Sequence, residues 1–271
     1  MKIFVTSAKQ IITVGLCLIF AVSTLLISLY FSPQNNASSA PKHLNSSKSW
    51  GLCFRKKNTK PDINENEEVL RKYNVYFVGN GKNKVYLTFD LGYENGFTDS
   101  ILDVLKKHNI KAAFFPTGYY IKNNSDIIKR ICNEGHIVGN HTYNHPDMSQ
   151  KTDIESFKKE LDLVENEYKK ITGNNMPKYY RPPMGKYSEI NFKFAQQLGF
   201  KTIFWGVAHL DWNNKKQPDC KEVIKKLTER IYPGAIILLH GISETNSKIL
   251  DKLVSSWEKE GYVFDTLENL D

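Results

Sequence analysis

Val85-Tyr86-Leu87-Thr88-Phe89-Asp90 is an apolar run that stops on a carboxylate, and Gly92 and Gly96 follow it before any helical pattern begins near Thr98. A short apolar run bounded by turn residues reads as a buried strand. The same transition recurs downstream. Gly135 leads into 136–141, Gly199 into 200–206, Gly234 into 235–240 and Gly261 into 262–267. Each glycine follows a helical stretch, as expected where a left-handed residue closes a helix. Ile154, Phe157, Leu161, Val164, Tyr168 and Ile171 line one face at three-and-four spacing, with Thr152 and Glu155 as the expected capping box, and Ile249, Leu250, Leu253, Val254 and Trp257 repeat the pattern. Strands alternating with amphipathic helices pair in parallel through crossovers. Strands at 85–89, 112–117, 136–140, 179–181, 201–205, 235–239 and 263–267 predict an α/β fold, a distorted or incomplete (β/α) barrel of about seven parallel strands.

Such a fold gathers the C-terminal ends of its strands. Asp90, His141, Arg181, Asp211 and His240 each stand where an apolar strand pattern breaks off, so they are candidates for one site. His141 and His145 lie four apart, the spacing that lets two imidazoles on a helical turn share a cation, and Asn140 and Pro146 mark a strand-end loop around them. Asp90 reads either as a reactive carboxylate or as a cap for the next helix. Arg181-Pro182-Pro183-Met184-Gly185 is a rigid turn that would hold an arginine to orient a carboxylate, or serve packing alone. Asp211 would raise the proton affinity of His240, and Trp212 offers an indole to a sugar face; either also reads as plain core or surface.

Lys2 and Lys9 precede an uncharged apolar run from Ile11 to Phe31, long enough to cross a bilayer. Residues 1–31 are read as a signal anchor or signal peptide, the anchor favoured, with the lysines cytoplasmic and the remainder extracytoplasmic, tethered to the membrane or secreted. Residues 32–48, rich in Ser, Asn and Pro, read as a disordered tether; 49–84 as an N-terminal extension with a helix around 67–73; and 85–271 as a single domain. Cys17 lies in the apolar run, and Cys53, Cys132 and Cys220 have no paired spacing, which argues against a zinc ribbon or a disulfide framework. The net charge of +8 would attract a polyanion, yet Lys is spread along the whole chain and no motif for nucleic acid is present.

Taken in order, Thr88-Phe89-Asp90, His141 with His145, Arg181-Pro182-Pro183-Met184-Gly185, Asp211-Trp212 and Leu238-Leu239-His240 resemble the five motifs of the polysaccharide deacetylases, the NodB-homology group of carbohydrate esterases. Ser49-Trp50-Gly51, Tyr73, Val78-Gly79, the run from Asp90 to Gly96, that from Glu134 to His141, and His145-Pro146-Asp147 resemble its sporulation branch. That branch deacetylates N-acetylmuramic acid on the way to the muramic δ-lactam of spore cortex. The resemblance implies a hydrolase of the cell envelope or forespore acting on peptidoglycan glycan strands. Asp90 would be the base, Arg181 its orienting partner, and His240 with Asp211 the acid. His141 and His145 would hold a divalent cation, zinc or another transition metal; Met184 would lend a backbone N–H to the oxyanion and Trp212 would bind substrate. The family pattern has a second aspartate after the base, as a metal ligand, and this chain has Leu91, so weak metal binding is expected. The alternatives are a deacetylase of N-acetylglucosamine or chitin oligomers, and a glycan-binding protein whose activity was lost with that ligand.

Overall fold

Strand Lys84–Leu91 is the hub of the sheet in the computed structural model, which describes residues 45–270. It pairs in parallel with Ile236–His240 on one side and with Ala113–Pro116 on the other, while Val263–Phe264 joins its first residues. Ile137–Val138 extends the sheet past Ala113–Pro116, and Val207–Ala208 extends it past Ile236–His240. A second parallel sheet runs in the order Val75–Tyr76, Lys201–Ile203, Tyr179–Tyr180. The two sheets meet at a bridge between Asn140 and Tyr180, and again where the chain from Lys201–Ile203 crosses to Val207–Ala208. The strands thus form a distorted, incomplete ring, its two sheets joined by isolated bridges and not by a continuous ladder.

All seven expected strands are present and parallel. Two further parallel strands, Val75–Tyr76 and Val207–Ala208, are only two residues long, too short for any periodicity to register. The first of them belongs to the extension at 49–84, which therefore contributes to the ring itself.

Alternation along the central strand separates two environments. Val85, Leu87, Phe89 and Leu91 join the large apolar cluster that also contains Ile101, Leu105, Leu250 and Trp257 of the covering helices. Tyr86 on the opposite face packs with Ala113, Phe115, Ile203 and Ile236 inside the ring. Thr88 shares that inner face and donates its hydroxyl to the carbonyl oxygen of Ile237 at 2.7 Å, so its burial leaves nothing unpaired. Asp90 is next on the same face, at the strand's C-terminal end.

Helix Ile154–Thr172 corrects one expected detail. Its cap is Asp153, whose carboxylate accepts the N–H of Ser156 at 2.7 Å from an extended backbone, so the box between Thr152 and Glu155 does not form. A carboxylate one residue nearer the helix is the stronger acceptor for the free N–H groups. Gly234 shows why its position excludes other residues: its φ is +88°, and a Cβ would fall 2.4 Å from the carbonyl oxygen of Gly79.

The extension also buttresses the Pro-Pro turn. Trp50 donates its backbone N–H to Gly185 at 2.8 Å and its indole N–H to the carbonyl oxygen of Trp205 at 2.9 Å, and its ring stacks on Phe204 with centroids 4.4 Å apart. The last residue assigned to the tether, Lys48, already pairs with Tyr187. The apolar run at 11–31 and most of the tether lie outside the described residues, among which no helix is long and apolar enough to cross a membrane. Cys53, Cys132 and Cys220 are free thiols.

Candidate active site

Asp90 and His240 are direct register partners on adjacent parallel strands, so both side chains leave the sheet on the same face at neighbouring positions. Asp90 is nearly buried and accepts from Nη1 of Arg181 at 2.8 Å. Burial alone would raise its pKa, but the charge of Arg181, then His141 and His240, outweighs that and holds it below the ordinary carboxylate value. Arg181 is fully buried, donates Nε–H to the carbonyl oxygen of Ile203 at 3.0 Å, and lies over the Phe115 ring at 4.2 Å. Nε and Nη1 are thus held, while Nη2 is buried without a hydrogen-bond partner among the described residues.

His141 donates from Nδ1 to the carbonyl oxygen of Arg181 at 2.9 Å, since a carbonyl can only accept. Its Nε2 therefore carries the lone pair, and this atom lies 3.5 Å from Oδ2 of Asp90. Desolvation pushes the imidazole down to about 4, so it is neutral at pH 7 and available as a ligand. The His145 ring stands against it with centroids 4.9 Å apart. The two meet, but not on the helical turn that their spacing predicts. Residues 141–147 form no helix, and Thr142 (φ 65°) and His145 (φ 56°) adopt left-handed backbone. Local hydrogen bonds hold this loop instead. Thr142 Oγ1 accepts the N–H of His145 at 3.1 Å, and Glu160 accepts the N–H groups of Tyr143 and Asn144 at 3.1 and 3.0 Å.

Two neutral imidazoles with a carboxylate alongside are a donor set suited to a divalent transition-metal ion. They supply two ligand positions. Among the described residues, no group of three or more His, Cys, Asp or Glu side chains is arranged to hold a metal. Leu91 accounts for part of this: its side chain is buried in the outer apolar cluster, against Gly241, on the strand face opposite Asp90.

His240 sits half-buried above Asp211. Its Nδ1 meets Oδ1 of Asp211 at 2.7 Å, and its backbone N–H donates to Oδ2 at 2.8 Å. Burial lowers the imidazole's proton affinity, but Asp211 more than compensates, and the pKa lies above the ordinary imidazole value. Asp211 itself is held low, because His240, His209 and Asn246 together outweigh its burial.

The remaining predicted residues are more peripheral. Met184 occupies the 3-10 turn Pro183–Gly185 with φ 57°, its side chain exposed, and the turn is closed by Gly185 N–H donating to Pro182 at 3.3 Å. Trp212 is 59% exposed, far beyond what a packing residue shows. Neither side chain hydrogen-bonds to the cluster of Asp90, His141, Arg181, Asp211 and His240. Asp90 does not cap the next helix, Thr98–Lys107; Glu94 ties the turn ahead of it, its Oε1 accepting from the N–H groups of Gly96, Phe97 and Thr98 at 2.6, 3.1 and 3.4 Å. Glu160, His209 and Asn246 brace this site although their places in the sequence carry no signal of it. Glu160 lies in the polar stripe of an amphipathic helix and Asn246 in the first turn of another, places where polar residues are ordinary.

With this geometry in view, the comparisons are specific. Residues 78–203 match the family model described as polysaccharide deacetylase. The chain is 41% identical to the peptidoglycan-N-acetylmuramic acid deacetylase PdaA of Bacillus subtilis over 82% of this chain and 84% of that protein. The solved structure of that enzyme, described as a family 4 carbohydrate esterase, superposes with a TM-score of 0.80 at 40% identity, covering 83% of this chain and 97% of that one. A peptidoglycan-N-acetylglucosamine deacetylase of Bacillus cereus is 34% identical over 74% of this chain and 73% of its own length. A family 4 pseudoenzyme from Bacillus anthracis superposes with a TM-score of 0.67 at 29% identity, covering 73% of this chain and 69% of that one. The chain belongs to the polysaccharide deacetylases of carbohydrate esterase family 4, hydrolases of the amide bond in N-acetylated amino sugars.

Proposed function

We propose that this enzyme removes the acetyl group from N-acetylmuramic acid in peptidoglycan, in formation of the muramic δ-lactam of spore cortex. One observation carries the chemistry: a buried carboxylate and a half-buried imidazole, register partners on adjacent strands, each with its own buried counter-ion. The relative named for muramic acid, at 41% identity, supports the choice of sugar. The apolar run at 11–31, flanked by Lys2 and Lys9, supports a membrane-anchored domain working outside the cytoplasm.

An acetamide is a poor electrophile with a poor leaving group, so its hydrolysis needs a base, charge stabilisation on oxygen, and an acid for nitrogen. Asp90, kept ionised by Arg181, takes the proton of the attacking water. His240, kept protonated by Asp211, gives its proton to the departing amine. A backbone N–H at Met184 is the donor assigned to the developing oxyanion, and Trp212 the surface assigned to the sugar. His141 and His145 would hold a divalent cation, which when bound supplies Lewis-acid polarisation of the acyl oxygen and acidifies water.

The pH profile follows from the two shifts. The active form has Asp90 ionised and His240 protonated, so activity is lost as pH falls through the depressed carboxylate pKa, or rises through the elevated imidazole pKa. kcat/KM measured against pH is expected to give a bell broader than unperturbed groups allow, and Asp211→Asn to move its alkaline limb to lower pH. A profile unchanged by that substitution removes Asp211 from the role.

Acetate release from purified murein, followed by mass spectrometry of the digested muropeptides, tests the sugar. Loss of acetyl from muramic acid residues is expected, with activity that falls on chelation and returns with added divalent cation. Loss from glucosamine residues alone would instead place the enzyme with the Bacillus cereus relative.

A further inference from the structure

Behind the Asp211–His240 pair lies a second layer of buried polar groups to which the chemistry above gives no part. Asp211 Oδ2 accepts two N–H groups, from the His240 backbone at 2.8 Å and from Nδ2 of Asn246 at 2.6 Å. Its other oxygen is left for Nδ1 of His240 at 2.7 Å. Oδ1 of Asn246 lies 2.9 Å from Nε2 of His209. Asn246 and Asp211 are each 1% exposed and His209 9%, so water does not compete for these bonds.

The donors and acceptors leave one arrangement. A carboxylate only accepts, so the amide must turn its NH₂ toward Asp211. Its oxygen then faces His209, whose Nε2 must carry the hydrogen. A neutral imidazole with its proton there has a bare Nδ1, and Nδ1 of His209 has no partner among the described residues. Protonating it would bury an unpaired donor. His209 thus stays neutral and fixes which end of the Asn246 amide meets the carboxylate. The helix cap seats Asn246 in turn: its N–H donates to Ser243 Oγ at 3.1 Å, and that hydroxyl donates to Gln217 at 2.6 Å.

We infer that Asn246, oriented by His209, is a positioning residue for the hydrolysis: it pins one oxygen of Asp211 so that the other stays aimed at Nδ1 of His240. It touches no reacting atom: its Nδ2 donates to Oδ2 of Asp211 at 2.6 Å and, more weakly, to the backbone carbonyl oxygen of His240 at 3.2 Å. The inference rests on His240 as the proton donor. The charged or titratable groups that act on His240 are Asp211, Asp90 and Arg181, with His145 and His209 coupled more weakly. Of these, Asp211 is the group to which the Asn246 side chain donates most closely, and Nε2 of His209 also lies 3.6 Å from Oδ2 of Asp211.

The test uses Asn246→Leu, His209→Leu and His209→Gln in the full chain, the last keeping an N–H donor toward the amide oxygen. Asn246→Leu and His209→Leu are expected to lower kcat about tenfold, the scale of one hydrogen bond to a charged group, with KM for the glycan unchanged. The alkaline limb of the pH profile moves to lower pH, while His209→Gln stays near the parent. Nitrogen-15 NMR of the His240 imidazole, read without turnover, should titrate at lower pH in both leucine variants. A His240 titration and alkaline limb unmoved in Asn246→Leu, or equal losses in His209→Gln and His209→Leu, overturn the inference. If Asn246→Leu does not fold, the His209 pair decides alone. Should His240→Ala keep full activity, the acid assignment falls, while the NMR comparison still judges whether Asn246 positions Asp211.

Discussion

Asp90→Asn is expected to reduce acetate release by about 10²–10⁴-fold, the usual contribution of a positioned general base. The amide keeps the size of the carboxylate and can still accept from Arg181, so the loss is one of proton affinity and charge rather than of shape. It should fall on kcat, with glycan binding largely intact. A second consequence separates this variant from a simple catalytic knockout. Arg181 is fully buried and Asp90 is its only salt-bridge partner among the described residues, so the substitution leaves a guanidinium without a counter-charge. An uncompensated buried charge costs about 3–5 kcal/mol, which denaturant unfolding should detect. Full turnover by this variant would remove Asp90 from the mechanism.

Arg181→Met inverts that defect. Methionine fills much of the same volume over Phe115, but Asp90 is left nearly buried without its nearest positive charge, and the Ile203 carbonyl loses its donor. Destabilisation of about 3–5 kcal/mol at pH 7 is expected. Its pH dependence is diagnostic. In the parent chain the Asp90 pKa is depressed, so its contribution to stability is present above the unfolded value and is lost as pH falls through the folded one. Without Arg181 the largest charge opposing burial is gone, and the folded pKa of Asp90 is expected to rise. The variant is then destabilised where Asp90 must ionise, and acidification relieves the deficit. The acid limb of the activity profile should move to higher pH for the same reason. A deficit that does not narrow on acidification would show that Arg181 matters for packing and not for the charge of Asp90.

Much of this molecule is legible from local sequence. The central strand shows itself because it is buried on both faces and so is apolar without a break until Asp90. The site residues 90, 141, 181, 211 and 240 are legible for a related reason: each is a polar residue at the point where such a run ends. The two-residue strands escape detection because pairing partners, and no side-chain period, define them. The His141–His145 pair shows both sides at once. Its spacing suggests two convergent imidazoles on a helical turn, whereas they meet on the strand-end loop that Asn140 and Pro146 mark, held by Thr142 and by Glu160 from a helix distant in sequence. The pattern favours Thr152 as the helix cap and the fold uses Asp153, because Thr and Asp are both good caps and only backbone geometry chooses between them.

The sequence by itself determined the alternation of strand and helix, the parallel ring, and the identities of the acid, base and imidazole candidates, because burial writes periodicity and chemistry writes residue type. Tertiary structure alone decided that Asp90 and His240 stand side by side, that Arg181 serves Asp90 and Asp211 serves His240, that Leu91 turns to the opposite face, and that His209 and Asn246 lie behind the pair. Those relations depend on register between strands far apart in the chain and on which donor reaches which acceptor. A linear pattern carries neither.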